Sequence, residues 1–246
     1  DHPFSIKQSS IDILENLSDI VTRSASILIA SLDETETELA EFNHAHSLKP
    51  IVNTPQFIPY KRLRKIPSVR NMVLCLPSII IDSHNERFTR ANAGWLILAN
   101  VIENIKLGLS PFRTVISLKK TAYLSTVDYP LKPMQGLTYE LSEDAADVGL
   151  TLLSKQSNTE GGTTIRTIID NDIADDRFTY MGYNLLVNHL SILIGKWLSM
   201  HYKNEEALLV TLNNKISDFL LENALIARRD ECQVTIEKHV FEVLVD

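Results

Sequence analysis

Asp170-Asn171-Asp172-Ile173-Ala174-Asp175-Asp176 places four carboxylates in one short stretch. Alternating carboxylates can surround a hard cation with oxygen, which is calcium chemistry. The fifth place is Ala174 and the sixth, where a calcium loop needs glycine for its sharp turn, is Asp175. The stretch therefore reads as solvated charge capping the positive end of a following helix. His44-Ala45-His46, with Glu38 and Glu41 upstream, offers zinc-type ligands. On a helix, residues two apart point in different directions, and no second His follows at four-residue spacing, so a polar helix end is the better reading. His189 stands among apolar residues and reads as a hydrogen-bonded core or interface histidine rather than a catalytic one. No metal ligand set and no catalytic residue is assigned.

Lys61-Arg62-Leu63-Arg64-Lys65 is a basic cluster without interleaved aromatics. It is a weak nucleic-acid signal; contact with an acidic protein neighbour is the better functional reading, beside a plainly solvated face. Gly161-Gly162 lacks the Lys-Ser or Lys-Thr that a phosphate cradle needs, and reads as turn chemistry. Gly-x-Ser-x-Gly, His-Glu-x-x-His, the dinucleotide-binding glycine pattern and Cys-x-x-Cys do not occur in the sequence. An enzyme or ligand-binding domain would have to build its site from residues far apart in the chain.

The elements that would position such residues are of mixed type. With 246 residues and 44% hydrophobic content the chain can bury a sizeable core, and its net charge of −7 disfavours nonspecific binding to nucleic acid or anionic membrane. Two cysteines, Cys75 and Cys232, make no disulfide framework, and a reducing cytoplasm is the expected compartment. The first apolar stretch carries Asp12, Glu15, Asp19 and Arg23 and does not read as a signal peptide. Leu185 to Leu198 is broken by Asn188, His189 and Lys196 and falls short of the roughly 20 apolar residues that span a bilayer. The chain starts at Asp1, and its strand pattern still runs at Asp246, so a longer polypeptide is expected.

Ile13, Leu14, Leu17, Ile20, Val21, Ala25 and Leu28 recur at helical steps and predict an amphipathic helix from Ser10 to Leu32. Asp33 to His46 is acidic and helix-prone. Prolines at 50, 55, 59 and 67 predict a surface connection, with ordered structure resuming at Asn71. Met72 to Leu76, stopped by Pro77 and extended by Ile79-Ile80-Ile81, predicts strand covered on both faces. A broadly apolar helix is expected over Ala91 to Leu107, a strand over Phe112 to Leu118, and a proline-punctuated loop over Tyr123 to Gln135. A further strand is expected over Leu137 to Leu141, then a short helix from Ser142, its cap, to Val148. Leu150 to Ser154 and Thr163 to Ile169 predict a hairpin, followed by helices over Arg177 to Tyr202 and Glu205 to Glu222. Cys232 to Val245 alternates as a strand or hairpin arm. The fold class is α/β (α+β), a mixed sheet flanked by helices, with residues 1–59 as an N-terminal helical segment packing on the core or a neighbour and residues 60–246 as the core domain.

Read in order, these segments resemble the large subunit of the type VI secretion contractile sheath. An arginine-rich lead, Tyr60 to Arg64, precedes a strand from Arg70 that ends in Leu76-Pro77. Ala91-Asn92-Ala93-Gly94-Trp95 is similar to the family's Gly-Asn-Ala-Ala run, Asn92 and Ala93 carrying the match. Leu137 to Leu153, with Gly149, follows the family's order of strand, short acidic helix, then glycine and apolar strand. Leu212-Asn213-Asn214 with Ile216 is close to its Leu-Asn-Asn-Trp-Ile, after the long helix. The likeness covers roughly residues 60 to 245. Val187-Asn188-His189-Leu190-Ser191 stands where the family carries Ser-Arg-Phe-Ala-His, and Lys215 replaces the tryptophan, departures that suggest a divergent branch such as that of pathogenicity-island secretion systems. The family's large subunit has a longer N-terminal part and further C-terminal strands.

The resemblance implies a contractile tail-sheath-like core and a structural role without cofactor. The implied partners are a small sheath subunit in a heterodimer, neighbouring sheath subunits, an inner tube protein, a baseplate and a recycling unfoldase ATPase. Neither nucleic acid nor membrane insertion is implied. The place would be the bacterial cytoplasm, in a sheath attached to a membrane-anchored baseplate. Intersubunit contacts are expected at Ile13, Leu17 and Ile20 on the first helix and at Val234, Ile236, Val240 and Val243 on the last strand, which an open edge would offer to a neighbour. Glu205 to Glu222 is the expected inner-tube face. The alternatives are a cytosolic α/β enzyme or ligand-binding domain, and the single-chain tail sheath of a phage or bacteriocin.

Overall fold

Side-chain alternation decides the centre of the fold. In Met72-Val73-Leu74-Cys75-Leu76, Met72, Leu74 and Leu76 join one hydrophobic cluster while Val73 and Cys75 join another. All five are at most 1% exposed, so the run is covered on both faces, as its sequence predicts. Burying each such aliphatic side chain is worth about 1.5–3 kcal/mol relative to leaving it in water.

The computed structural model describes residues 8–31, 58–81, 89–92, 94, 97–99, 102, 115–117, 131–133, 139–152, 154–155, 161–170, 172, 176–200, 204–237 and 240–245. In chain order the elements are α1 (Gln8–Arg23), β1 (Leu28–Ser31), α2 (Ile58–Leu63), β2 (Met72–Cys75), β3 (Pro77–Ile81), β4 (Thr89–Asn92), β5 (Val115–Ser117) and β6 (Leu131–Pro133). There follow α3 (Tyr139–Asp147), β7 (Leu150–Thr151), β8 (Ser154–Lys155), β9 (Gly161–Thr164), α4 (Met181–Leu198), α5 (Glu205–Glu222), β10 (Cys232–Glu237) and β11 (Val240–Val245). The architecture is mixed α/β. Residues 1–107 with 111–185 form one compact unit, and residues 108–110 with 186–246 form a second. No helix among the described residues is long and apolar enough to cross a membrane.

In the first unit β2 is the middle strand of a parallel sheet, flanked by β1 (Leu28↔Met72) and β7 (Leu74↔Leu150). Ile11 and Leu14 of α1, Tyr60 and Leu63 of α2, and Ala145 of α3 cover one face; Ile97, Ile165 and Met181 cover the other. Two further three-stranded sheets, β4-β3-β6 and β5-β9-β8, are antiparallel. The second unit packs α5 and the part of α4 from Leu186 onward with the antiparallel hairpin β10–β11.

Several sequence expectations are corrected. The first helix ends at Arg23 rather than Leu32: Ala25 takes a left-handed φ of 49°, Ser26 N–H closes onto Val21 O at 3.1 Å, and Leu28–Ser31 becomes a strand. The stretch expected as a surface connection holds α2 and a 3₁₀ turn, Pro67–Asn71, because Pro59 sits in the first turn of α2, where its missing N–H costs nothing. Ala91 and Asn92 lie in β4, not in a helix; Gly94 and residues 97–99 are helical. Leu131–Pro133, expected as loop, is a strand, and Tyr139–Leu141, expected as strand, opens α3. Ser142 is inside that helix and donates to Leu152 O at 2.8 Å instead of capping it. Gly161 and Gly162 are strand residues paired with Lys155 and Ser154. The long helix is preceded by a 3₁₀ turn, Asp176–Thr179, and ends at Leu198. Residues 33–46 with His44 and His46, together with Ala93 and residues 118–130, lie outside the described residues.

Candidate functional site

The alternation in Cys232-Gln233-Val234-Thr235 turns Cys232 and Val234 inward, where they join Leu212, Ile216 and Leu220 of α5 and Leu190 of α4; Gln233 is exposed. Val243 of β11 packs against the same cluster. The side chains of Ile236 and Val240 lie outside the described residues, and the backbone pairs them with Phe241 and Glu237. The hairpin thus lies on α5 by one face, which a two-stranded ribbon needs for stability.

Its two edges differ. Val234 N–H donates to Asn213 Oδ1 at 3.0 Å, so the outer edge of β10 is closed at that point by a side chain of α5. An amide turned toward Asn213 is turned away from β11, which makes Val234↔Val243 a non-hydrogen-bonded pair. By the same alternation Phe241, Val243 and Val245 direct their amides away from β10, and among the described residues β11 has no second strand neighbour. An edge of this kind is a template for another strand.

The Leu212-Asn213-Asn214 segment is divided by helical geometry into distinct roles. Leu212 and Ile216 are fully buried, Asn213 fixes the hairpin, Asn214 is exposed, and Lys215 places its ammonium 5.4 Å from the Trp197 ring centroid. His189 is exposed and stacks on Phe219 at 5.2 Å rather than lying in a core. On α1, Ile11, Leu14, Ser18 and Val21 face the interior, leaving Ile13 and Ile20 at 58% and 63% exposure. Leu17 lies on the same stripe but is half-buried against its own unit's core. Ser18 Oγ lies 2.8 Å from Ser68 Oγ, and Thr22 Oγ1 donates to Ser68 O at 2.9 Å, fixing which face of α1 remains outside.

Of the basic cluster, Arg62 and Lys65 are exposed, while Leu63 and Arg64 are buried. Arg64 Nε donates to Ile168 O at 3.0 Å and Nη2 to Asp147 O at 3.1 Å. Tyr60 OH is shared between Val148 O and Gly149 O, both at 3.1 Å. The expected partner contact is, at Arg64, a tie within its own unit. The sequence reading missed this node by treating the prolines as loop signals; the spacing of Tyr60, Leu63 and Ile66 was the available helical signal. Gly149, at φ 73°, lets the chain pass so close to Ile168 O that an added Cβ would stand 2.8 Å from it. Leu76 is buried in the core, and Pro77 begins β3.

Asp170 and Asp172 form a local turn, Asp172 N–H to Asp170 Oδ1 at 3.3 Å, and Asp170 N–H donates to Arg64 O. Among the described residues no group of three His, Cys, Asp or Glu could hold a metal ion. Cys75 and Cys232 are free and buried, and burial pushes both thiols up, Cys75 to about 12, so neither is a thiolate at neutral pH. Neither the comparison with protein-family models nor that with curated proteins gives a match to this chain.

Proposed function

We propose that this chain is a structural subunit of a contractile sheath of the type VI secretion kind, and that its role is mechanical rather than catalytic. In this reading it pairs with a small sheath subunit and stacks with neighbouring sheath subunits into a helical tube around an inner tube. The tube stands on a baseplate in the bacterial cytoplasm and is recycled by an unfoldase ATPase after contraction. The ordered resemblance across residues 60 to 245 supports it. The observation that carries it is the C-terminal hairpin, with β10 fastened to α5 through Asn213 and β11 without a second strand neighbour among the described residues. A strand from another subunit would complete that sheet. Exposed Ile13 and Ile20 would add a second contact. Contraction needs no cofactor, since an extended lattice can relax into a lower-energy packing of the same subunits.

Co-expression with the small sheath subunit, followed by sedimentation, tests the hairpin. Phe241→Pro removes an outward amide without removing a bond to β10, and proline is tolerated on an edge. The variant is expected to keep its circular dichroism spectrum and lose pelletable polymer; undiminished polymer would refute the edge assignment.

A further inference from the structure

Arg166 is positioned by more of its surroundings than a solvated arginine needs. Its backbone N–H donates to Thr151 Oγ1, and the same hydroxyl lies 3.3 Å from Arg166 O. An isolated antiparallel bridge joins it to Tyr180. Its guanidinium carbon lies 3.8 Å from the Tyr180 ring centroid, and Nη1 donates to Thr179 Oγ1 at 2.6 Å, Thr179 itself being 3% exposed. Yet Nε is buried without an acceptor, and the guanidinium makes no ion pair with any described carboxylate. Other arginines of the chain end differently. Arg64 spends Nε and Nη2 on backbone carbonyls, and the exposed Arg228 pairs with Asp230 and Glu231.

A half-buried cation over an aromatic ring, with a neutral hydroxyl as the one hydrogen-bond partner of its guanidinium among the described residues, is under-compensated. Its planar fork is already oriented, so the ordering cost of receiving an anion has largely been met by the fold. We infer that the Arg166–Thr179–Tyr180 cluster receives an oxyanion, a carboxylate or phosphate group, at the guanidinium nitrogen Nη2, which neither Thr179 nor burial takes up. Such groups match the fork geometry and make charge-assisted bonds roughly twice as strong as neutral ones. This inference does not depend on the sheath reading.

The test is a ¹⁵N NMR titration of the full chain, following the arginine Nε–H resonances at constant ionic strength set with chloride. The Arg166 signal is assigned by its loss in Arg166→Lys. One arm adds inorganic phosphate and the other a blocked tetraglutamate peptide. A saturable shift confined to the Arg166 signal is expected in at least one arm. Saturation by phosphate identifies a free anion as sufficient, and saturation by the peptide alone identifies a protein carboxylate. Protein amide shifts give the affinity of Arg166→Lys, which keeps the charge and loses the fork; about ten-fold weaker binding is expected. Thr179→Val, which keeps the guanidinium and releases Nη1, is expected to weaken binding by a smaller factor and guards against a folding defect in the first variant. Shifts that never saturate in either arm, that appear equally at other arginines, or that persist with unchanged affinity in Arg166→Lys would overturn the inference.

Discussion

Asn213 Oδ1 accepts the Val234 amide proton at 3.0 Å, and through this bond α5 fixes where β10 lies, leaving β11 as the hairpin edge without a second strand neighbour among the described residues. Asn213→Leu leaves that half-buried amide without its acceptor and should cost roughly 1–3 kcal/mol. Asn213→Asp keeps an acceptor and should cost less. Urea denaturation of the three proteins, with hydrogen exchange at the Val234 amide, measures both effects. Equal stability of the leucine variant would remove Asn213 from the account of the hairpin.

Gly149 is the tightest point of the first unit. Its φ of 73° disfavours any Cβ, and the nearest obstacle is backbone, Ile168 O at 2.8 Å, which cannot swing aside as a side chain would. Gly149→Ala should therefore destabilise by at least about 2 kcal/mol. A thermal midpoint within 2 °C of the parent, a tolerance of roughly 1 kcal/mol for a chain of this size, would contradict the geometry.

The sheet core was legible in the sequence where one pattern dominated. Met72 to Leu76 has no competing reading, and Glu205 to Glu222 matches the helix residue for residue because Asn204 caps it, its Oδ1 accepting the Ala207 amide proton at 2.9 Å. Legibility failed where local signals conflicted. Ala25 carries a left-handed turn without glycine, so nothing in the composition marked the end of α1. Pro59 and Pro67 look like loop residues but occupy helix starts. The bond from Asn213 to Val234 spans 21 residues and has no periodic signature, so a hairpin edge for a partner strand could be expected, but β11 could not be distinguished from β10.

Ala25 and Ala224, at φ 49° and 53°, both lie just beyond a helix and bear a Cβ where glycine is unstrained. Leu225 N–H closes onto Leu220 O at 2.9 Å as Ser26 does onto Val21 O. Ala25→Gly and Ala224→Gly should each stabilise by up to about 1 kcal/mol, the relief of left-handed strain exceeding the added entropy of the unfolded chain. Chemical denaturation of each single variant measures the gain; a loss in both would refute this description of the caps.

Burial holds the Cys75 thiol protonated, moving it from 9.0 to about 12. Between these values the unfolded chain releases a proton that the folded chain keeps. The unfolded state then binds fewer protons, and stability falls as pH rises, by up to about 1.4 kcal/mol per pH unit. Tyr60, also raised by burial, adds to the loss at still higher pH. Urea midpoints between pH 8 and 11 should decline, and Cys75→Ala, although less stable at pH 8, should show a shallower decline. Parallel slopes would show that Cys75 does not govern the alkaline limb.

The most direct measurement of the proposed role is negative-stain electron microscopy of the full-length protein, expressed with and without the small sheath subunit. Hollow helical tubes that form only on co-expression are the predicted result. Tubes from this protein alone would move it to the single-chain tail sheaths, and a compact monomer in both preparations would contradict the polymer account.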